Sequence, residues 1–294
     1  MILVAGATGN LGSEIVRRLR ERGEEVRGLV RNTSAPEKTA RLKELGVETV
    51  TGNLRDPASL DVACRGVRTV ISTVTTIATA QPGDSFVDTD AAGTSSLIDA
   101  AKKAGVEHFV FVSFDSSQFP PTPLSDAKRA VEARLRASGM DYTILQPSLF
   151  MEVWLGPMIF GDVSSGQVKV FGSGEGKLPY VSVADVAEVA VRAVMNPIAR
   201  NSTIAFGGPE AITQREAVRL FEEATGKSLT VTEVPEAALE AQWKSAENPF
   251  EKTFAGLMLG AARLNQAAEP LKDEFAFQMT RVRDFAKRMA RGPE

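Results

Sequence analysis

Three glycines follow the first apolar segment at a spacing that suits the binding of an anion. The stretch V-A-G-A-T-G-N-L-G puts one glycine at the end of a predicted strand and two at the start of a predicted helix. The first permits a tight turn, the second lets a pyrophosphate approach the backbone, and the third lets the helix pack close to the strand. An ordinary glycine-rich connection is the alternative, but the flanking elements favour a dinucleotide site. Gly6, Gly9 and Gly12 are predicted to hold the pyrophosphate, and Thr8, Asn10 and Leu11 to bind the cofactor beside them.

The second predicted strand ends on a cation where an NAD site usually has an acid. The stretch G-L-V-R-N-T places Arg31 at this point. A carboxylate there binds the ribose 2′-hydroxyl, whereas a guanidinium fork suits a 2′-phosphate. A solvated arginine is the alternative, but the sequence has no acid at this position, so we predict NADP(H). After the third strand, Asn53 and Leu54 are predicted to form a wall for the adenine, and Asp56 to cap the next helix.

The composition excludes several other classes of function. The 294 residues include 34 basic and 37 acidic side chains, and a net charge of −3 gives no positive field for nucleic acid. One histidine and one cysteine are too few ligands for a usual zinc site. No apolar run reaches the length of a membrane span, and no basic leader precedes the first apolar segment. We expect a cytoplasmic protein with no metal, no membrane partner and a small-molecule ligand.

Short apolar runs alternate with helical patterns over the first two thirds of the chain. The runs are rich in valine and isoleucine without polar alternation, which is typical of a parallel sheet covered on both faces. The pattern therefore predicts an α/β, Rossmann-type doubly wound fold. The predicted strands are Ile2–Ala5, Glu25–Val30, Val47–Thr51, Thr69–Ser72, His108–Ser113, Tyr142–Gln146 and Ser202–Phe206.

The regular pattern ends after Pro147. Residues 148–179 are rich in glycine, serine and aromatic residues and are predicted to form loops with a short helix, whereas residues 207–294 are predicted to be mostly helical. We predict a dinucleotide-binding core of residues 1–147, to which 180–206 return, and a smaller substrate lobe of 148–179 and 207–294. Capping boxes at Ser182–Asp185 and Thr213–Glu216 should open two helices. A homodimer is compatible with the sequence, which does not fix the oligomeric state.

Several longer stretches resemble the NmrA-like family of atypical short-chain dehydrogenases/reductases. They are G-A-T-G-N-L-G, A-G-V-E-H-F-V-F-V-S at 104–113, the block 128–152 and P-Y-V-S-V-A-D-V-A at 179–187. The resemblance spans about residues 1–230, with T-R-V-R-D-F as a weaker match near the end. It implies NADP(H) binding, although the members of the family have different functions. They include quinone and triphenylmethane-dye reductases, plant isoflavone- and lignan-type reductases, and non-catalytic redox sensors.

The resemblance makes Lys128 the principal catalytic candidate. In the wider superfamily this lysine lowers the pKa of a tyrosine one turn earlier, a position that is Leu124 here; the family often has Arg-Pro where this chain has Gln146-Pro147. Lys128 alone is expected to hold the nicotinamide ribose, and by resemblance to the plant reductases to serve as acid or base if burial depresses its pKa of about 10.4. The alternative is a solvated lysine on a helix surface.

The remaining candidates are assigned by their position at strand ends or in the second lobe. Ser113 is expected to contact the nicotinamide or a substrate oxygen. Thr73, Val74 and Pro147 are expected to lie along the cofactor. Aromatic side chains are predicted to line a substrate cavity, although such a set is as often plain core; they are Phe114, Phe119, Phe150, Trp154 and, on weaker grounds, Tyr180. His108 and Cys64 are predicted to be structural.

Two functions remain open at this point. The first is an NADPH-dependent reductase of a quinone-like or other aromatic small molecule, for which the missing tyrosine is tolerable because the ring stabilises the oxygen anion and solvent supplies the final proton. The second is an NADP(H)-sensing regulator that binds a protein partner without turnover. An isomerase that retains its cofactor has no support, because its acid–base pair would be incomplete.

Overall fold

The computed structural model describes residues 1–77 and 80–291 and contains eleven strands and eleven α-helices within them. The strands are β1 (Ile2–Ala5), β2 (Val26–Val30), β3 (Glu48–Thr51), β4 (Thr69–Ser72), β5 (His108–Val112), β6 (Asp141–Pro147), β7 (Gln167–Phe171), β8 (Lys177–Leu178), β9 (Ser202–Phe206), β10 (Ile212–Thr213) and β11 (Thr230–Val234). The helices are α1 (Asn10–Glu21), α2 (Pro36–Glu44), α3 (Pro57–Ala63), α4 (Thr94–Lys103), α5 (Pro123–Arg136), α6 (Met151–Trp154), α7 (Val183–Met195), α8 (Gln214–Thr225), α9 (Glu236–Ser245), α10 (Pro249–Arg263) and α11 (Val282–Arg291). A π-helical segment, Phe86–Gly93, runs directly into α4.

Seven strands form one sheet in the order β3-β2-β1-β4-β5-β6-β9. Every neighbouring pair from β3 to β6 is parallel, and β1 lies between β2 and β4. The order reverses beside β1, which is the topological switch point where ligands bind in doubly wound folds. The predicted α/β fold and all seven predicted strands are confirmed, with bounds that differ by at most one residue.

The chain divides into two compact units. The first comprises Met1–Phe114, Pro123–Gln146 and Val186–Ile204, and the second comprises Asp115–Thr122, Pro147–Asp185 and Ala205–Glu294. In the first unit, apolar residues of β1, β4 and β5 pack with those of α3, α4 and α5 in a core that includes Leu3, Leu60, Leu97, Phe109 and Val131. Among the described residues, no helix is both long and apolar enough to cross a bilayer.

Three segments and Pro147 lie in the second unit and not in the predicted core; the segments are Asp115–Thr122, 180–185 and 205–206. Asp115–Thr122, expected in the core, belongs to the second unit, where α9 and α10 hold it. A Cβ on Gly260 of α10 would lie 2.1 Å from the ring of Phe119, and Trp243 Nε1 of α9 donates to the Pro121 carbonyl at 3.1 Å. Residues 180–185 also belong there, since the Val181 N–H donates to the Leu149 carbonyl.

The second unit contains more strand than its sequence suggested. Strand β7 pairs in parallel with β11, and β8 pairs antiparallel with β10. The prediction that 148–179 are loops with one short helix, and that the rest is mostly helical, is therefore wrong for these four short strands. They pack on an aromatic core in which the ring centroids of Phe160 and Phe221 are 5.2 Å apart.

His108, at the start of β5, is a buried structural residue, as predicted. Its Nε2 lies 2.8 Å from Thr143 Oγ1, and that hydroxyl donates to the Ala199 carbonyl at 2.8 Å. Because the hydroxyl proton is committed to Ala199, Nε2 must carry the proton that is donated to Thr143. Burial lowers the pKa of His108 from 6.5 to about 4, and Arg200 contributes in the same direction.

This lowered pKa predicts a loss of stability in mild acid. Because the folded state disfavours the charged ring, the stabilisation is complete above pH 6.5 and declines as the pH falls toward 4. From pH 7.5 to 5.5 the free energy of unfolding should fall by about 1.4 kcal/mol from this residue. Denaturant titration of the parent and His108→Gln should show this slope only in the parent. An NMR titration of the single histidine with a midpoint near 6.5 would contradict the prediction.

Candidate functional site

The glycine-rich turn after β1 is packed so closely that only glycine fits at two of its positions. Gly6 has a φ of +87°, and a Cβ there would lie 2.5 Å from Thr73 Oγ1. A Cβ on Gly12 would lie 2.0 Å from the Gly6 carbonyl oxygen, and the Gly9 N–H donates to that same oxygen at 2.9 Å. Gly12 therefore has the packing role that the sequence predicted, because the absence of a side chain lets α1 start against the turn.

The first turn of α1 presents its amides without a competing side chain. Gly9 is the N-cap in an extended conformation and supplies no capping side chain, and the first turn has no acidic residue. Helix N-termini of this kind attract anions through their free N–H groups and dipole. Asn10 is exposed, Thr8 is half-buried and Leu11 packs inward, 8% exposed. This arrangement fits the pyrophosphate of a dinucleotide.

A cavity of about 410 Å³ lies beside the ends of β2 and β3. Arg31 and Asn53 line it, as the prediction of an adenosine site requires. Leu54 does not: it is 6% exposed and belongs to the apolar core of the first unit, where its Cβ lies 2.8 Å from the position of a Cβ on Gly93. The cavity lining therefore gives no support to the prediction that Leu54 forms an adenine wall, because the chain turns this side chain under the π-helical segment.

Arg31 has no acid near it in the sequence, but the fold places one beside it. Arg31 NH1 donates to Asp84 Oδ2 at 2.9 Å, from a loop 53 residues further along the chain. Both carboxylate oxygens are occupied, since Oδ2 also accepts from the Gln81 N–H at 3.0 Å and Oδ1 accepts from the Thr89 hydroxyl at 3.0 Å. Asp84 therefore holds Arg31, and its side chain, only 4% exposed, is engaged by donors of the protein itself.

Lys128 is buried, which excludes the solvated-lysine alternative. It is 7% exposed, and its Nζ donates to the carbonyls of Val74 and Val112, each at 3.1 Å. Nζ also lies 4.8 Å from the centroid of the Phe111 ring. These contacts fix the ammonium between the ends of β4 and β5. Two of its three N–H donors are used by carbonyls of the described chain, which leaves one for a ligand.

The charge of Lys128 is opposed by a buried acid. Burial lowers the pKa of Lys128, while Asp90 and Glu132 act in the opposite direction. Asp90, in the π-helical segment, is 2% exposed, and burial raises its pKa although Lys128 and Thr76 lower it. The Thr76 N–H and hydroxyl both donate to Asp90 Oδ2, at 3.1 and 2.6 Å. Asp90 is thus a buried acid whose charge favours the charged form of Lys128, without a direct ion pair between the two in the described structure.

Ser113 carries a buried hydroxyl with no hydrogen-bond partner in the described structure. Its residue is 5% exposed, and its backbone N–H donates to the Leu145 carbonyl at 2.8 Å. A buried hydroxyl is normally paired, so an orphan in this place is consistent with a ligand contact. Thr73 and Val74 are half-buried after β4, and Pro147 is buried at the end of β6.

Leu124 and Gln146 are the two positions predicted to depart from the family pattern, and the structure shows what surrounds each of them. Leu124 is 5% exposed on α5, one turn before Lys128, and offers no proton. Gln146 Nε2 donates to Glu132 Oε1 at 2.9 Å. An arginine at this position would pair with the same carboxylate, so the neutral amide leaves Glu132 to act on Lys128 and Arg136.

The predicted substrate aromatics fall in different units. Phe114 ends a segment of the first unit, while the others lie in the second. Phe119 and Trp154 pack against the aromatic core of the second unit, and Phe150 precedes α6. Tyr180 is 2% exposed inside that core, and burial raises the pKa of its phenol. Tyr180 is therefore a packing residue, and its predicted place at the edge of a pocket has no support.

The sequence did not reveal Arg55, Asp84 and Asp90, which lie next to the predicted site residues. Asp84 and Asp90 are in a stretch with no recognisable motif, and their partners are far away in the sequence. Arg55 lies in T-G-N-L-R-D, where roles were predicted only for Asn53, Leu54 and Asp56. A signal was present for the turn that contains Asp84, because Pro-Gly is a strong turn dipeptide.

The switch-point sheet, the glycine turn and the buried lysine together define a dinucleotide-binding α/β protein. The chain matches the NmrA-like family over residues 1–283 and belongs to it.

The chain is 33% identical over 240 residues to photosystem II assembly factor Ycf39 of Cyanophora paradoxa, covering 81% of this chain and 73% of that protein. It is 35% identical over 229 residues to an NAD(P)H azoreductase of Xenophilus azovorans, covering 77% and 74%. The fold is similar to the NADPH-dependent quinone oxidoreductase of Escherichia coli, with a TM-score of 0.80, 24% identity and coverage of 98% and 99%.

Proposed function

We propose that the protein is an NADPH-dependent oxidoreductase that reduces a quinone-like or other aromatic small molecule. The observation that carries the proposal is the position of Lys128, which is buried between the ends of β4 and β5 and keeps one N–H donor unused in the described structure. The hydroxyl of Ser113, which has no hydrogen-bond partner there, lies at the end of β5. The azoreductase, at 35% identity, supports a reductase that acts on an aromatic compound.

The residues present fit the proposed cofactor. The glycine turn and the open amides of α1 would hold the pyrophosphate, while Arg31 and Asn53 would hold the adenosine. Thr73, Val74 and Pro147 would lie along the dinucleotide. Bound NADPH would supply a hydride. Lys128 and Ser113 would bind and orient the nicotinamide ribose and the substrate oxygen, which is the positioning that hydride transfer requires.

The missing tyrosine restricts the choice of substrate. Leu124 cannot donate a proton, so a substrate whose reduced oxygen needs a strong donor nearby is disfavoured. A quinone accepts a hydride and becomes an oxygen anion that its ring stabilises, and solvent then supplies the proton. Reduction of a quinone-like acceptor is therefore favoured over oxidation of an alcohol.

The second candidate is an NADP(H)-binding regulator that acts through a protein partner. Leu124 and Gln146 remove a proton donor and a charge that redox members of the superfamily use, and the relative from Cyanophora paradoxa is named as an assembly factor. Steady-state NADPH oxidation with a panel of benzoquinones, naphthoquinones and azo dyes separates the two. Turnover on any acceptor supports the reductase, whereas tight NADPH binding without turnover supports the regulator.

Cofactor preference tests the role of Arg31 separately from turnover. The melting temperature of the parent should rise more with NADPH than with NADH at equal concentration, because only the 2′-phosphate contacts the guanidinium. Arg31→Asp should reverse this order, since it places a second carboxylate beside Asp84 and repels the phosphate. Arg41→Asp, on α2, provides the matched charge control. Equal shifts for both dinucleotides in the parent would refute the NADP(H) assignment.

A further inference from the structure

Residues 81–84, between β4 and the π-helical segment, form a tight turn. Three contacts join this turn to the loops that line the adenosine cavity. Gln81-Pro82-Gly83-Asp84 closes with a 2.8 Å hydrogen bond from the Asp84 N–H to the Gln81 carbonyl, and Gly83 has a φ of +84°. Proline at the second position and a positive-φ glycine at the third are typical of a type II turn. The turn is therefore set by its own sequence before any ligand binds.

The turn holds two arginines that come from different strand ends. Arg31 NH1 donates to Asp84 Oδ2 at 2.9 Å, and Arg55 NH1 donates to the Gly83 carbonyl at 2.7 Å. Arg55 Nε also lies 3.9 Å from Asp84 Oδ1. The Asp84 side chain is only 4% exposed, so this carboxylate is a fixed internal anchor. Gln81 Oε1 accepts from the Thr33 hydroxyl at 2.5 Å and completes the set.

Both arginines line the cavity of about 410 Å³, and each guanidinium keeps N–H groups that bind no acceptor among the described residues. Two carboxylates also line the cavity: Asp84 binds the arginines, and the exposed Asp56 accepts from the Ala58 N–H at 3.1 Å as the cap of α3. Two guanidinium forks on one cavity are a suitable pair of ligands for a dianionic phosphate, which has enough oxygens for both.

We propose that Arg55 is a second ligand of the adenosine 2′-phosphate, and that the Gln81–Asp84 turn orients it together with Arg31. This inference rests on the proposed function, since it assumes that NADPH occupies the cavity. It makes the distinction between NADPH and NADH depend on two arginines after β2 and β3 and on the turn that holds them, and not on Arg31 alone.

Arg55→Met tests the proposal with two fragments that carry no nicotinamide. Adenosine 2′,5′-bisphosphate has the 2′-phosphate, and adenosine 5′-monophosphate lacks it. By calorimetry, Arg55→Met should weaken binding of the bisphosphate about 10-fold, as expected for one charged hydrogen bond at a partly exposed site. Binding of the monophosphate should change less than about two-fold. Arg55→Lys, which keeps the charge and loses the fork, should fall between the parent and Arg55→Met.

The controls separate a ligand role from a structural one. Arg65→Met removes an exposed arginine that does not line the cavity and should leave both affinities unchanged. Equal weakening of both fragments by Arg55→Met would mean that Arg55 only tethers the turn and would overturn the inference. Unchanged discrimination in Arg55→Met and Arg55→Lys would also overturn it. If instead the parent itself does not distinguish the fragments, the NADP(H) assignment fails, which is a separate result.

Discussion

Replacing Lys128 with methionine should lower kcat/KM for NADPH-dependent quinone reduction by about 100-fold, or close to 3 kcal/mol of transition-state stabilisation. Methionine keeps an apolar stem of similar length and removes the three N–H donors. The two donors that bind Val74 and Val112 hold the ammonium in place, and the third is the one available to a ligand. Because orientation of the nicotinamide is the main contribution expected of this residue, kcat should fall more than the affinity for NADPH.

The substitution also removes a positive charge that acts on the buried Asp90, so the fold must be monitored. A buried carboxylate that loses a nearby cation is costly, whereas removing both charges is often neutral. Lys128→Met combined with Asp90→Asn should therefore recover much of the melting temperature lost by Lys128→Met, and none of the activity. Lys102→Met, at an exposed position on α4, is the control and should match the parent. Parent-like turnover in a folded Lys128→Met variant would remove Lys128 from the proposed site.

The sheet could be predicted from the sequence because each strand is specified locally. Runs such as Ile2–Ala5 and His108–Val112 are fully buried, and a buried parallel strand is apolar along its whole length. The short strands of the second unit lack this signature: β7 alternates only partly, and β11 is mostly exposed. No periodic pattern in the sequence indicates the π-helical segment Phe86–Gly93, yet this segment places Asp90 where its charge acts on Lys128.

Capping residues show the same division between local and distant determinants. The box at Thr213–Glu216 forms as predicted, with both reciprocal hydrogen bonds present. At Ser182–Asp185 only one half forms: the Asp185 N–H donates to Ser182 Oγ at 3.1 Å, but the Asp185 carboxylate accepts from the Thr280 N–H at 2.8 Å. A partner 95 residues away replaces the local one, and no pattern near Asp185 could have indicated it. Asp84 was not predicted for the same reason, because its partner Arg31 lies 53 residues away in the sequence.

Gly12→Ala should abolish detectable dinucleotide binding, with affinity reduced by more than about 100-fold. An ideal Cβ would lie 2.0 Å from the Gly6 carbonyl oxygen and 2.7 Å from the Gly6 carbonyl carbon. These are backbone atoms of the turn, so relief requires α1 and the turn to move apart, which displaces the amides that would bind the pyrophosphate. Overpacking of this kind costs about 1–3 kcal/mol, so the melting temperature should also fall by several degrees.

Gly9→Ala separates this packing effect from the approach of the ligand. Its Cβ would meet the Gly6 carbonyl oxygen at 3.3 Å, a contact that a shift of a few tenths of an ångström relieves. Gly9→Ala should therefore keep the melting temperature within about 2 °C of the parent while it weakens NADPH binding, because the new methyl group lies where the pyrophosphate approaches the backbone. Gly105→Ala, at a φ of +77° with nothing within 4 Å, gives the cost of backbone strain alone and should leave NADPH affinity unchanged. Parent-like NADPH affinity in both turn variants would show that the turn does not bind the dinucleotide. Loss of affinity in Gly12→Ala alone would show that the turn acts by holding α1 in place, and that the pyrophosphate does not approach Gly9.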